Sequence, residues 1–273
     1  MQWSKVKTIL IFILLVVDSF LLIHLLGGYY AEYRREMAKN EDFLTVLSNK
    51  GVGADAMFTL PKAVSLPTLE VDRSKNDEDA FTRGLLGEGM ERTEAVDGGT
   101  SYDSARGHIE WSAEGKIEGA FVPESYQRPT SEREMRVMLA KILEGCGISS
   151  AVRIEADADE MSASASFYTA GAPVFNRSLR FTFDEENVAV SGWWTFQTPY
   201  MVRTNNYVLC EPTDAVLALL DAETSIRSVT SAEIGYVLMT GSGRQTSIVP
   251  CCRIITDRGE FFVDSLKNVV ISV

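Results

Sequence analysis

The sequence has few of the residues that catalysis and metal binding most often need. Its 273 residues include two histidines, of which His24 lies in a long apolar segment and His108 is the other. No Gly-x-Ser-x-Gly or His-x-x-x-His spacing occurs, and the four cysteines include no Cys-x-x-Cys pair. The common signatures of serine hydrolases, zinc proteases and thiol-based metal or redox sites are therefore missing. We expect no enzyme, no catalytic residue, no cofactor and no metal site.

Basic residues are also outnumbered, since the chain has 26 Lys and Arg against 38 Asp and Glu, a formal net charge of −12. Residues 1–37 hold four of the basic and three of the acidic groups, so residues 38–273 carry 22 basic and 35 acidic groups, a charge of −13. Such a charge disfavours binding to nucleic acid. It also disfavours bulk electrostatic attraction to anionic lipid headgroups or wall polymers.

The longest apolar run occupies residues 8–26. As a helix it would reach about 28 Å, close to the hydrocarbon thickness of a bilayer. Lys5 and Lys7 precede it, so the positive-inside rule predicts a cytoplasmic tail at residues 1–7, a transmembrane helix at 8–28 and an extracellular remainder. A cleaved signal peptide is the alternative, but the run exceeds the usual ~7–15 residues and no small-x-small cleavage site follows. We predict a single-pass protein of the cell membrane.

Asp18 lies near the middle of this apolar run. A carboxylate at that depth costs about 2.5–3.5 kcal/mol on insertion scales, so such groups usually face another protein segment or are protonated. A single helix cannot cover it alone. We therefore interpret Asp18, with Ser19, Phe20 and His24, as a surface that binds a partner's transmembrane helix. The alternative is that a long apolar segment tolerates one protonated aspartate.

The remaining chain predicts an α+β fold, in which helices pack on antiparallel sheets. A juxtamembrane helix is expected at 29–50, followed by a first extracellular subdomain to residue 125 and a second at 126–273, each running helix, strands, helix, strands. The other predicted helices are 76–86, 131–144 and 212–221. The predicted strands are 63–66, 68–71, 91–95, 100–104, 108–112, 116–121, 151–156, 162–169, 178–184, 187–194, 207–210, 228–239, 247–256 and 260–264.

The four cysteines, Cys146, Cys210, Cys251 and Cys252, would lie outside the cell, where disulfides are permitted in three pairings if all four are used. Adjacent Cys251 and Cys252 would point to opposite faces of a strand. We favour buried free thiols, and one disulfide is the alternative.

At the start of the chain, Trp-Ser-Lys-Val-Lys-Thr-Ile at residues 3–9 leads directly into the apolar helix, and Asp18 is followed by Phe20-Leu21. This opening resembles that of proteins of the YycI (WalI) family. The stretch at 42–52, a leucine-rich helix ending in a glycine turn, is similar to the family's juxtamembrane segment. Near the end, Val-Pro-Cys-Cys-Arg-Ile-Ile-Thr at 249–256 is similar to the family's closing proline-led strand, although no aromatic residue stands beside Arg253 where one is expected.

This resemblance implies a function without catalysis. Such proteins cross the membrane once, carry an exterior α+β domain, and act with a YycH-like protein on a WalK/YycG-like two-component sensor kinase. The expected partners are therefore the YycH-like protein and the kinase, contacted through the transmembrane helix and the exterior domain. The alternative is a membrane-anchored binding module for a peptide or cell-wall fragment, such as a PepSY-like protease regulator.

Overall fold

The structure, a computed structural model, describes residues 3–148, 152–201, 206–240 and 245–271. Within these ranges it has four helices: α1 Trp3–Asn49, α2 Lys75–Leu86, α3 Glu132–Gly145 and α4 Pro212–Ala222. The strands within the same ranges are β1 Gly53–Ala54, β2 Val64–Pro67, β3 Leu69–Asp72, β4 Glu91–Glu94, β5 Thr100–Ser104, β6 Gly107–Trp111, β7 Lys116–Phe121, β8 Val152–Asp157, β9 Ser162–Thr169, β10 Ala172–Phe183, β11 Val188–Trp193, β12 Tyr207–Cys210, β13 Ser228–Thr240, β14 Gln245–Thr256, β15 Gly259–Asp264 and β16 Val269–Ile271. The predicted α+β class is confirmed.

Helix α1 is one uninterrupted helix of 47 residues, about 70 Å long. Its N-terminal half is long and apolar enough to cross a membrane, and the described side chains there are exposed. At its other end the Val52 amide donates to the Leu47 carbonyl at 3.0 Å, and the Gly51 amide donates to Ser48 at 2.9 Å. Gly51 has φ 74°, the left-handed conformation that this type of helix end requires. The sequence predicted this end from its Asn-Lys-Gly stretch.

Three similar units, each a helix followed by a four-stranded antiparallel meander, make up most of the rest. Unit 1 is α2 with β4–β7, unit 2 is α3 with β8–β11, and unit 3 is α4 with β13–β16. The helices begin where the sequence predicts. Ser74 and Ser131 each accept a hydrogen bond from the amide three residues on, and Pro212 occupies the first turn of α4.

The units join edge to edge. Antiparallel pairing of β7 with β11 merges units 1 and 2 into one sheet of order β4-β5-β6-β7-β11-β10-β9-β8. The first half of β10 also reaches unit 3, where Val174 pairs in parallel with Tyr236 of β13. Strands β1 and β3 add to β13 and β14, and β2 pairs with β12 in a separate ribbon.

The predicted boundary at residue 125 falls in the connection between units 1 and 2, so residues 126–273 contain units 2 and 3. Three strands need correction. Strand β10 begins at Ala172, six residues before the predicted start, and β1 and β16 were not predicted at all. Proline is disfavoured inside a strand, yet the segment that contains Pro173 pairs with β9 and β13. The register shifts between Pro173 and Ser178.

Two hydrophobic clusters fill the domain. The larger lies under α2 and α3, where Phe81 and Trp111 pack edge to face at 6.1 Å between ring centroids, and the Trp111 indole donates to the Thr82 hydroxyl at 2.8 Å. The smaller joins the end of α1 to unit 3. It contains Phe43 and Leu47 of α1 together with residues of α4, β14 and β15. The apolar helix is thus packed directly into the core of unit 3.

Candidate functional site: the apolar helix and its junction with the domain

The helix divides the four predicted partner-binding residues between two faces. At about 100° per residue, Phe20 and His24 lie within about 40° of each other, whereas Asp18 lies about 120–160° away from them. The rings of Phe20 and His24 stack at 6.4 Å with an interplanar angle of 3°. Ser19 lies about 100° from Asp18 and donates its hydroxyl to the Leu15 carbonyl at 2.7 Å. One partner helix therefore cannot cover all four residues, and the binding role of each stays a prediction.

The other end of α1 is fixed to the domain by side chains along one of its faces. Phe43 and Leu47, one turn apart, are buried in the hydrophobic cluster that also contains residues of α4 and of the strands of unit 3. Earlier on the same face the Asn40 side-chain oxygen accepts a hydrogen bond from the Leu60 amide at 3.1 Å, and Glu36 pairs with Lys62 at 2.6 Å. The sequence predicted the helix here but not the elements that pack against it, because α4 and the strands of unit 3 are more than 160 residues away in the chain.

Beyond its capped end, α1 is also tied to α4 by an ion pair. The Lys50 ammonium lies 2.5 Å from the Asp221 carboxylate in the last turn of α4. Both side chains are partly exposed, so the pair contributes on the order of 1 kcal/mol or less. Burial of Phe43 and Leu47 therefore stabilises the junction more than the ion pair does. Together these contacts attach the C-terminal end of α1 to unit 3 and to the segment that follows α1.

His108 is held on the exposed surface of unit 1 between two carboxylates. Its Nδ1 lies 2.7 Å from Asp103 Oδ1, and its Nε2 lies 2.9 Å from Glu110 Oε1. The hydrogen bonds to Glu110 and Asp103 raise the pKa of His108 above its ordinary value. In the described part of the chain no group of three or more His, Cys, Asp or Glu could hold a metal ion. His108 therefore forms a surface cluster with the Asp103 and Glu110 carboxylates.

The cysteines are free thiols, and three of the four are buried. Burial raises the pKa of Cys146 and that of Cys252 to about 12, and it raises the pKa of Cys251 further. Thiols with raised pKa values form little thiolate near neutral pH, and the thiolate is the reactive form.

Arg253 illustrates what the sequence could not indicate. The aromatic residue missing beside it in the chain is supplied by β10, because the Arg253 guanidinium lies 4.7 Å from the ring centre of Phe175. Phe262 packs against Phe175 at 5.8 Å, and Glu233 accepts a hydrogen bond from Arg253 at 2.6 Å. The corner is therefore a cation–π and ion-pair cluster between units 2 and 3.

No known family model and no curated protein matches the sequence. Among solved structures, an uncharacterized protein from Eubacterium rectale ATCC 33656 is 9% identical over 81% of this chain and 90% of its own, with a TM-score of 0.48. The Bacillus megaterium YpeB C-terminal domain is 11% identical over 74% of this chain and 97% of its own, with a TM-score of 0.34. Both scores lie below 0.5, so neither neighbour assigns a family or a function to this chain.

Proposed function

We propose that this chain is a single-pass membrane protein that regulates a WalK/YycG-type sensor kinase together with a YycH-type protein. The N-terminus is cytoplasmic and the α+β domain lies outside the cell, as Lys5 and Lys7 before the apolar run favour. The chain acts by binding one state of a two-state kinase better than the other, and it catalyses no reaction.

One observation carries this proposal. Helix α1 continues without a break from the apolar segment to Asn49, and its last turns are buried in the core of unit 3. A shift or rotation of the membrane segment would therefore move the α+β domain with it. Movement of the domain would in the same way move the membrane segment. The two faces of the apolar segment, Asp18 on one and Phe20 with His24 on the other, offer contacts for two different helices, which suits a complex of three proteins.

The test is reconstitution of the full-length chain in proteoliposomes with the sensor kinase and the YycH-type protein, each omitted in turn. Kinase autophosphorylation from labelled ATP is measured under each condition. We expect the rate to change when the chain and the YycH-type protein are both present. A rate that is unchanged by the chain in every combination contradicts the proposed function.

Variants of Asp18 test the membrane contact separately. Asp18→Leu removes the carboxyl while favouring insertion, and we expect it to weaken association by about 0.6–2 kcal/mol, roughly 3- to 30-fold. Asp18→Asn retains most of the affinity because an amide still forms hydrogen bonds. Val17→Leu, its apolar neighbour, is the control. Co-purification from membrane extracts measures the association of all three variants with the kinase complex. If Asp18→Leu recovers as much of the complex as the unsubstituted chain, the contact lies elsewhere.

A second candidate function is a membrane-anchored binding module for a peptide. The observation that favours it is an open cleft of about 1040 Å³ beside α3, at the upper end of the range for ligand sites. Two measurements distinguish the candidates, peptide binding and kinase autophosphorylation. If the chain is only a binding module, it binds peptide but does not change the rate of kinase autophosphorylation.

A further inference from the structure

The cleft beside α3, called here the α3 cleft, lies between that helix and the connection from β7. Its floor is apolar and is formed by Leu85, Phe121, Met138 and Ile142. Pro123 and Pro129, in the connection, belong to the facing wall and limit the conformations of the chain there. On the α3 side Val137 is 49% exposed and lines the opening. The cleft thus combines an apolar floor with one apolar side chain at its mouth.

The charge of the α3 cleft is opposite to that of the protein around it. Four cations line it, and the two acidic lining residues are Glu124 and Glu134. Both acids already have partners: Glu124 pairs with Arg106 at 3.3 Å, and Glu134 accepts two hydrogen bonds from Thr130, at 2.7 and 2.9 Å. The lining therefore carries two more positive than negative charges, within residues 38–273 whose charge is −13.

Two of the cations lack partners of their own. Arg133 and Lys141 have no ion pair or hydrogen bond to any described residue, and both are exposed. They stand eight residues apart on α3, about 12 Å along the helix, and Val137 lies midway between them on nearly the same face. The order along this edge of the cleft is therefore cation, apolar side chain, cation.

From this pattern we propose that the α3 cleft binds an extended acidic segment of a protein partner. In an extended chain every second side chain points to the same side, and four residues span about 13 Å. Side chains at positions 1, 3 and 5 of such a segment therefore match the spacing of the helix. The segment has Asp or Glu at positions 1 and 5 for Arg133 and Lys141, and an apolar residue at position 3 for Val137.

A protein segment fits better than a polyanionic surface. A membrane or a wall polymer would bring many negative charges close to a domain whose own net charge is strongly negative. Its charged groups would also offer nothing that packs on the apolar floor. A short segment meets the local charge and the local apolar surface together. The inference concerns the cleft alone and does not depend on kinase regulation.

The test uses the full-length chain in detergent micelles and the fluorescent peptide Gly-Glu-Ser-Leu-Ser-Glu-Gly, followed by fluorescence anisotropy. One control peptide has Lys for both Glu residues, and a second has Ser for Leu. We expect the acidic, leucine-containing peptide to bind more tightly than either control, with an affinity that falls as salt is added. If the Lys peptide binds as tightly as the acidic peptide, the proposal is wrong. It is also wrong if glycerol phosphate polymer displaces the fluorescent peptide at a lower concentration of negative charge than the unlabelled acidic peptide does.

Variants on α3 supply a matched comparison. Arg133→Glu and Lys141→Glu should each lower the affinity for the acidic peptide by about tenfold or more, because each replaces an electrostatic attraction by a repulsion. Arg136→Glu makes the same charge change on the same helix, but Arg136 pairs with Glu132 at 3.1 Å and does not line the cleft. That control should bind as the unsubstituted chain does. If Arg136→Glu weakens binding as much as Arg133→Glu, the effect is one of overall charge and the site is not the α3 cleft.

Discussion

The junction between α1 and unit 3 makes a quantitative prediction about Leu47. This side chain is 1% exposed and belongs to the cluster formed with α4 and the last strands. Leu47→Ala removes three side-chain carbon atoms, Cγ and the two Cδ methyl groups, and leaves a cavity; such substitutions of buried leucines lower the free energy of unfolding by about 2–5 kcal/mol. The exposed neighbour Val46, 40% accessible, gives the control, since Val46→Ala should change stability by less than about 0.5 kcal/mol.

Urea unfolding of the full-length chain in detergent micelles measures both variants. Trp111, Trp193 and Trp194 lie in units 1 and 2 and report the loss of domain structure by fluorescence. A Leu47→Ala midpoint that coincides with that of Val46→Ala would refute the packing of α1 into the core of unit 3. A low midpoint only for Leu47→Ala is the result expected here.

Three further predictions concern the domain. A Cβ on Gly84 would lie 2.7 Å from the Cys146 Cα, so Gly84→Ala should destabilise the domain by about 1–3 kcal/mol although alanine has the better helix propensity. Gly145→Ala is the control, because a Cβ there meets no atom within 4 Å, and it should not destabilise the domain. Thermal unfolding compares the two variants. Because the folded pKa of His108 is raised, its stabilisation is present below pH ~6.5 and is lost as pH rises through the folded pKa. The stability difference between wild type and His108→Ala should thus be larger at acidic than at alkaline pH, while kinase autophosphorylation stays unchanged. The three buried thiols, Cys210, Cys251 and Cys252, should react with a maleimide only on unfolding, as the mass of the intact and urea-treated chain will report.

Local signals in the sequence predicted much of the fold. The Asn-Lys-Gly end of α1, Ser74 and Ser131 as caps, and Pro212 in the first turn of α4 each act through the backbone within a few residues. The strands of unit 1 were equally predictable, because the glycine-containing turns between them can be recognised within a ten-residue window. These features depend on local chemistry, and one sequence is enough to find them.

What the sequence could not indicate depends on distant partners. Strand β10 extends back to Ala172 because β9 and β13 pair with it, although Pro173 locally argues against a strand. The ring beside Arg253 comes from Phe175, which is 78 residues earlier in the chain. The three-unit plan is another such case, since the edge pairing of β7 with β11 merges two units into one sheet.

The candidate sites divide in the same way. That Asp18 and His24 lie on different faces follows from the helical period alone, and the spacing of Arg133, Val137 and Lys141 can be read from the sequence. The opposite wall of the α3 cleft could not be predicted, because an irregular connection forms it. The helix that carries Phe43 and Leu47 was predicted, but the burial of these side chains in a cluster with α4 and the last strands depends on long-range contacts.

The central claim is that α1 joins the membrane segment to the α+β domain as one rigid helix, and insertions at its exposed middle test it most directly. Two alanines inserted after Arg34 rotate the domain by about 200° relative to the membrane segment, whereas four alanines rotate it by about 40° and lengthen the helix by about 6 Å. In the reconstituted kinase assay we predict that the two-alanine insertion abolishes the effect on autophosphorylation and that the four-alanine insertion retains most of it. Equal activity of both insertions and the unaltered chain would contradict the claim, because α1 would then be a simple tether.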